Sequence, residues 1–188
     1  FTVHADAPIG PGPQGLVIED LDGDGNPDLC TTSLQDPDVS ILRGRGDGTF
    51  APAVRLPMPA DSQPLGIATA DLDADGRTDL VATDLAGRRI AVFYGLGAGQ
   101  FAAPVIHAVG ASPVAVCVGD VSFDGLADLV VSNLDDSSLT ILRRLDVRSY
   151  RSETVRTDGQ PSLSAIGDLT GDGVNDLVVS VFSRASVS

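Results

Sequence analysis

An acidic nine-residue loop recurs four times in this chain at almost constant spacing, and that recurrence constrains the fold more than any other feature. The copies read Asp20-Leu-Asp22-Gly-Asp24-Gly25-Asn26-Pro-Asp28 and Asp71-Leu-Asp73-Ala-Asp75-Gly76-Arg77-Thr-Asp79. Two more follow, Asp120-Val-Ser122-Phe-Asp124-Gly125-Leu126-Ala-Asp128 and Asp168-Leu-Thr170-Gly-Asp172-Gly173-Val174-Asn-Asp176. Their first aspartates lie 51, 49 and 48 residues apart. Oxygen-bearing side chains occupy loop positions one, three, five and nine, and Gly occupies position six.

That pattern is how a short loop wraps a hard cation. Alternate residues turn their oxygens inward, and Gly permits the sharp bend. Two carboxylates about 4 Å apart repel by about 1 kcal/mol in water and by about 4 kcal/mol at a partly buried dielectric. A divalent ion reverses that sign. The side chains, the backbone carbonyl of position seven (Asn26, Arg77, Leu126 or Val174) and water would supply the six to eight oxygens that calcium takes. A solvated Asp-Gly turn without metal explains one such loop, but not four in register. An EF-hand is excluded, because its bidentate Glu at position twelve is Thr31, Ala82, Val131 or Val179 here.

The formal net charge is −14, and the loops hold more than half of the 26 acidic residues. Four bound calcium ions would leave about −6, so the acidity is largely ligand chemistry, and it argues against nucleic acid as a partner. All 12 basic residues are Arg, and five of them (Arg143, Arg144, Arg148, Arg151, Arg156) crowd one stretch that reads as a solvated face. No apolar run approaches the ~18 residues of a membrane span. No Asn-x-Ser/Thr site is present. Loops of this kind suit millimolar extracellular calcium, so the expected location is the cell exterior or surface. Cys30 and Cys117 stand where other repeats carry Val or Ala, and read as buried free thiols rather than a disulfide.

Between the loops the chain is built of short strands. In residues 50–99, Phe50 to Leu56 opens as a strand whose Pro suits an edge. A Pro-containing crossing (57–64), an apolar strand (65–70), the loop, a β-branched strand from Asp79 and a third strand (89–94) follow. Four strands between Gly, Pro and Asp turns, with no helical period, make one antiparallel sheet. Phe1, Phe50, Phe101 and Tyr150 mark equivalent points, giving approximate repeats 1–49, 50–100, 101–149 and a truncated 150–188 within one region, 1–188. Four-stranded units of about fifty residues predict an all-β β-propeller.

The loop Asp20 to Leu29 together with Gly46-Asp47-Gly48-Thr49-Phe50-Ala51-Pro52 resembles the FG-GAP repeat in its VCBS-type variant, the repeat of the integrin α-chain propeller. The likeness runs through essentially the whole chain. It implies a propeller, commonly seven-bladed, with calcium between the first two strands of a blade. Carried over by position, the ligands are Asp20, Asp22, Asp24, Asp28; Asp71, Asp73, Asp75, Asp79; Asp120, Asp124, Asp128; and Asp168, Asp172, Asp176. Ser122 and Thr170 bring hydroxyls to position three of the last two loops, and Phe123 replaces a small residue. Carboxylate count therefore ranks loops one and two above three and four in affinity. Arg45-Gly46-Asp47 reads as a hairpin turn rather than an adhesion motif.

The chain opens with a fourth strand (1–7) and ends inside a third (185–188), so a larger ring is expected, completed by further sequence or by a second chain. A closed four-bladed ring is the alternative. Three functions stand: a secreted module binding a glycan or protein, the scaffold of a polysaccharide-active enzyme, and a structural spacer. No catalytic set is visible. For recognition, the face opposite the metal loops offers the more varied segments, with Arg88, Arg89 and Asp135 as candidates.

Overall fold

The computed structural model describes residues 7–182 and 186–187. Every regular element among them is a β-strand. The first sheet is β1 (Pro13–Glu19), β2 (Asp28–Ser33), β3 (Asp38–Leu42) and β4 (Val54–Pro57), in that spatial order. The second takes β5 (Pro64–Ala70), β6 (Asp79–Asp84), β7 (Arg89–Phe93) and β10 (Val105–Ala108); a small hairpin of β8 (Gly95–Gly97) and β9 (Gln100–Phe101) lies between its last two strands. β11 (Pro113–Gly119), β12 (Asp128–Asn133), β13 (Ser138–Asp146) and β14 (Ser149–Arg156) form the third. β15 (Pro161–Gly167), β16 (Asp176–Val181) and β17 (Ser186–Val187) are what is described of the fourth.

All pairings are antiparallel and their register repeats. Leu29 faces Leu42, Leu80 faces Phe93, and Leu129 faces Leu142 across the second and third strands of successive sheets. Period-two alternation then sends one side chain set to each neighbouring sheet. Three apolar clusters result, each shared by two consecutive sheets. Cys30, Val39 and Ile41 of the first sheet meet Leu80, Ala91 and Phe93 of the second. Val81, Val92 and Tyr94 then meet Val116, Leu129 and Leu142. Val130 and Ile141 meet Val179 and Val181. The first strands β1, β5, β11 and β15 pack successively along the inner edge of this arc of blades.

The arc is open at both ends. Leu16 and Ile18 on β1 are 61% and 63% exposed, whereas Val116, the β11 counterpart of Leu16, is 9% exposed. Leu169 after β15 is 70% exposed, whereas its counterparts Leu21 and Leu72 are 8% and 0%.

Sequence and structure differ in phase. The stretch 50–99 does not form one sheet: β4 pairs with β3 and closes the preceding blade. A repeat has no intrinsic starting point, and the crossing 58–63 that follows β4 is where the chain changes blade. The expected strand at 1–7 falls almost wholly outside the described residues, and 185–188 is described only at Ser186–Val187. Arg45-Gly46-Asp47 does lie in the turn between β3 and β4, exposed, closed by the Arg45 N–H donating to the Thr49 carbonyl at 3.0 Å. The arginine-rich stretch is not a uniformly solvated face, because Arg144 is 4% exposed.

Both cysteines are free, and Cys30 is buried. Burial in the apolar cluster, with Asp28 nearby, pushes the Cys30 thiol up to about 12. The thiolate is the reactive form. Iodoacetamide at mildly alkaline pH is therefore expected to leave Cys30 unlabelled in the folded protein and to label it after unfolding; mass spectrometry of the peptides checks this.

Candidate cation-binding loops

Each loop joins the first strand of a blade to the second, and its backbone is shaped by its own aspartates. The position-one carboxylate accepts N–H groups from across the bend. Asp20 takes Gly23 and Gly25 (2.8 and 2.9 Å), and Asp168 takes Gly171 and Gly173 (2.7 and 2.9 Å). Asp71 and Asp120 do the same for Gly76 and Gly125. The position-five carboxylate accepts the N–H of position seven: Asp24 from Asn26, Asp75 from Arg77, Asp124 from Leu126 and Asp172 from Val174. Hydrogen bonds to the ionised form favour it. The Gly173 and Gly171 N–H groups accordingly hold Asp168 below the usual carboxylate range, and the Asn26 N–H does so for Asp24.

Two residues per loop lie in the left-handed region. Position six is always Gly, with φ between 81° and 86°. Position four is the second, and there Ala74 (φ 61°) and Phe123 (φ 62°) stand where loops one and four have Gly. In the sequence Phe123 reads only as an unusual residue; the signal for its backbone conformation is Gly23 and Gly171 at the same position.

Position nine does something else. Asp28, Asp79 and Asp128 are 1%, 0% and 0% exposed. Each accepts the N–H of loop position two through Oδ2: Leu21 at 3.1 Å, Leu72 at 2.8 Å and Val121 at 3.1 Å. Through Oδ1 each also accepts an N–H just past the core of the third strand, from Gly44, Gly95 and Arg144 at 2.8, 2.7 and 2.8 Å. Asp176 keeps the first half of the pattern, accepting Leu169 and Thr170. Gly44 and Gly95 are glycines for space: a Cβ there would clash with the Pro27 carbonyl oxygen or with that of Thr78.

These aspartates are thus brought together in groups. One carboxylate oxygen from each of Asp20, Asp22 and Asp24 lies within 4.8 Å of the others, and so do oxygens of Asp71, Asp73 and Asp79. Burial raises Asp79 to about 6 against the Gly95 and Leu72 N–H groups that lower it, with Asp73 and Asp75 adding repulsion. Ser122 Oγ, at position three of loop three, is closed off from solvent without a hydrogen-bond partner. An all-oxygen donor set, clustered like charges and an unpartnered inward hydroxyl fit a hard cation such as calcium.

Arginines reach the first two loops. Arg148, from the turn between β13 and β14, donates to Asp73 Oδ2 through Nε (2.8 Å) and lies 2.6 Å from it through Nη2. Its guanidinium stacks over Tyr94, 4.1 Å from the ring centroid. Arg43 Nε lies 3.8 Å from Asp22 Oδ2, and its Nη2 donates to the carbonyls of Ala98 and Gly99. A cleft of about 180 Å³ separates loop one from loop two beneath the β8–β9 hairpin.

On the opposite face, the crossings bond to the turns between second and third strands. Met58 donates to Pro37, Leu85 to Gln63, Val109 to Arg88, and Leu134 to Ser112. Arg89 is anchored there between Asp84 (2.7 Å) and Asp61 (2.6 Å). Arg88 pairs with Asp136 at 3.1 Å and stays 62% exposed, and Asp135 accepts from Ser112 Oγ at 2.5 Å.

Because position nine serves the backbone as well as the loop, Asp128→Ala strands two N–H groups and is expected to cost about 3 kcal/mol even in chelator. Asp124→Ala, at an exposed position with one local bond, is expected to cost much less under the same conditions. Urea unfolding of both variants in EDTA checks the contrast.

The FG-GAP-like repeat matches residues 20–82 and 71–131. No curated protein matches the chain. Among solved structures, a lectin of Agrocybe aegerita is similar at 23% identity over 87% of this chain and 45% of its own, with a TM-score of 0.60. The periplasmic gluconolactonase PpgL of Pseudomonas aeruginosa shows 22% identity over 87% and 46%, with a TM-score of 0.62. The biofilm matrix protein Bap1 of V. cholerae shows 21% identity over 90% and 24%, with a TM-score of 0.55. The chain thus spans about half or less of the length of these structures, and the likeness is one of fold. With the repeat matched over its first three loops and the blades built around them, the chain belongs to the FG-GAP-like repeat family.

Proposed function

We propose that the chain is a calcium-binding, extracellular propeller module that presents a rigid surface to a glycan or protein partner. The observation that carries the metal half is the convergence of carboxylate oxygens within 4.8 Å in loops one and two. Asp20, Asp22, Asp24 and Asp28 would hold the ion in loop one, and Asp71, Asp73, Asp75 and Asp79 in loop two, each set including the three carboxylates that already converge. Asp120, Ser122, Asp124 and Asp128, and Asp168, Thr170, Asp172 and Asp176, would do so in loops three and four. Calcium supplies the positive charge that the loops lack. The chain's own N–H groups already hold the carboxylates in place, so little ordering is left for the ion to drive.

For the partner, we place recognition on the face opposite the loops. Rigid scaffolds usually bind through their varied loops, and the exposed Arg88 is the best-placed charge there. Arg89, fixed between two aspartates, supports the loop instead. That one structural neighbour is a lectin with specific recognition of non-reducing terminal N-acetylglucosamine favours screening glycans first. The exposed apolar faces of the first and fourth sheets are best completed by further blades, from the same chain or a second one.

Ligand binding to the folded state raises stability by about 2.7 kcal/mol per site at a hundredfold excess over Kd. Calcium is therefore expected to raise the melting temperature and EDTA to lower it; a melting temperature indifferent to both removes the proposal. For the partner, Arg88→Glu is expected to weaken capture of a glycan found by array screening without changing calcium affinity. If loop variants that remain folded abolish capture and Arg88→Glu does not, recognition belongs to the metal face.

A further inference from the structure

The two loops with an aspartate at position three are the two that an arginine reaches. Arg148 bonds Asp73, and Arg43 stands near Asp22. Loops three and four carry Ser122 and Thr170 at that position, and among the described residues no guanidinium forms an ion pair with a carboxylate of either loop; Arg144 reaches Asp128 only through its backbone N–H. The extra negative charge and the guanidinium occur together.

The second loop shows the arrangement most fully. The Asp73 side chain is 1% exposed, and its Oδ2 faces both Nε and Nη2 of Arg148, while Oδ1 accepts the Asp75 N–H at 3.3 Å. The guanidinium is oriented by the Tyr94 ring beneath it. It is delivered from the next blade, 75 residues along the chain. A guanidinium keeps its charge at any working pH, and a pair with one buried member is screened less than a surface pair. Arg77, the other arginine at this loop, pairs with Asp75 from a half-exposed position (51% and 29%) and is screened accordingly.

We infer that Arg148 is a resident counter-charge of the second loop that sets its calcium affinity, bringing a four-carboxylate site down to the level of a three-carboxylate one; Arg43 does this more weakly in loop one. The inference rests on the calcium reading. It replaces the ranking by carboxylate count: the four loops offer similar effective charge although their side chains differ. It also makes the second site a joint property of two blades, since the turn between β13 and β14 must be docked for the counter-charge to be present.

The chain supplies its own local probe. It has two tyrosines, Tyr94 and Tyr150, and no tryptophan, and Tyr94 lies directly under Arg148. Terbium, a calcium stand-in excited through tyrosine, therefore reports the second loop above the others, and calcium affinity is read from its displacement. Arg148→Gln is expected to tighten calcium at this site by about tenfold, because charge count governs affinity in such loops. Arg148→Lys, which keeps the charge, is expected to stay near wild type. Asp73→Ser alone should weaken the site, and Asp73→Ser with Arg148→Gln should restore it. Unchanged or weaker affinity in Arg148→Gln, in a protein whose calorimetric calcium binding is otherwise intact, overturns the role of Arg148 alone. Absence of calcium heat from wild type and variants alike overturns the calcium reading itself.

Discussion

A buried carboxylate that accepts two backbone N–H groups is the interaction on which the rest of each of the first three blades depends. In the first three blades, the position-nine aspartate ties the start of its loop to the end of the third strand, at distances of 2.7–3.1 Å. Without it, two N–H groups at the rim of the sheet would need other partners, and buried unpaired donors are expensive. The cost is a charge held out of water. N–H dipoles relieve part of that cost, yet burial still raises Asp79 to about 6. The fold therefore gathers negative charge at one rim of the propeller for structural reasons, and that charge is what the proposed calcium would neutralise.

The blades in turn depend on one another. A four-stranded twisted sheet has two faces, and here both carry apolar side chains in the inner strands. A blade becomes stable only when each face meets a neighbour, as in the clusters that bridge successive sheets. This explains why Leu16, Ile18 and Leu169 are exposed while their counterparts inside the arc are covered. It also explains the rim contacts. A turn delivered by one blade packs over the loop of the blade before it, as when the Gly99 N–H donates to the Leu21 carbonyl at 3.2 Å and when Arg148 reaches Asp73.

Much of this was legible in the chain itself because it is local and repeated. The spacing of the loops predicted the blade, and the apolar runs after each position-nine aspartate predicted the second strands, Asp79–Asp84 among them. The replacement of Val by Cys30 predicted a buried free thiol. What was not legible is non-local or concerns phase. Nothing in the order of residues says that Val54–Pro57 pairs backwards with β3 rather than forwards with β5. The left-handed backbone at Ala74 and Phe123 is hidden because neither residue favours it. Arg148 looked like one member of a solvated basic run, since its partner lies a full blade away. The second role of the position-nine aspartates was masked by the first, because a ligand pattern already accounted for them.

Four loops of one repeat, shaped by the fold's own hydrogen bonds, are proposed as four calcium sites. The most direct measurement is the calcium content of the purified chain after equilibrium dialysis against calcium-containing buffer, by elemental analysis against protein concentration. Four such sites bring calcium close to four ions per chain, with one fewer when Asp20 is replaced by Asn in a protein that remains folded. Calcium no higher in the protein compartment than in the surrounding buffer would contradict it.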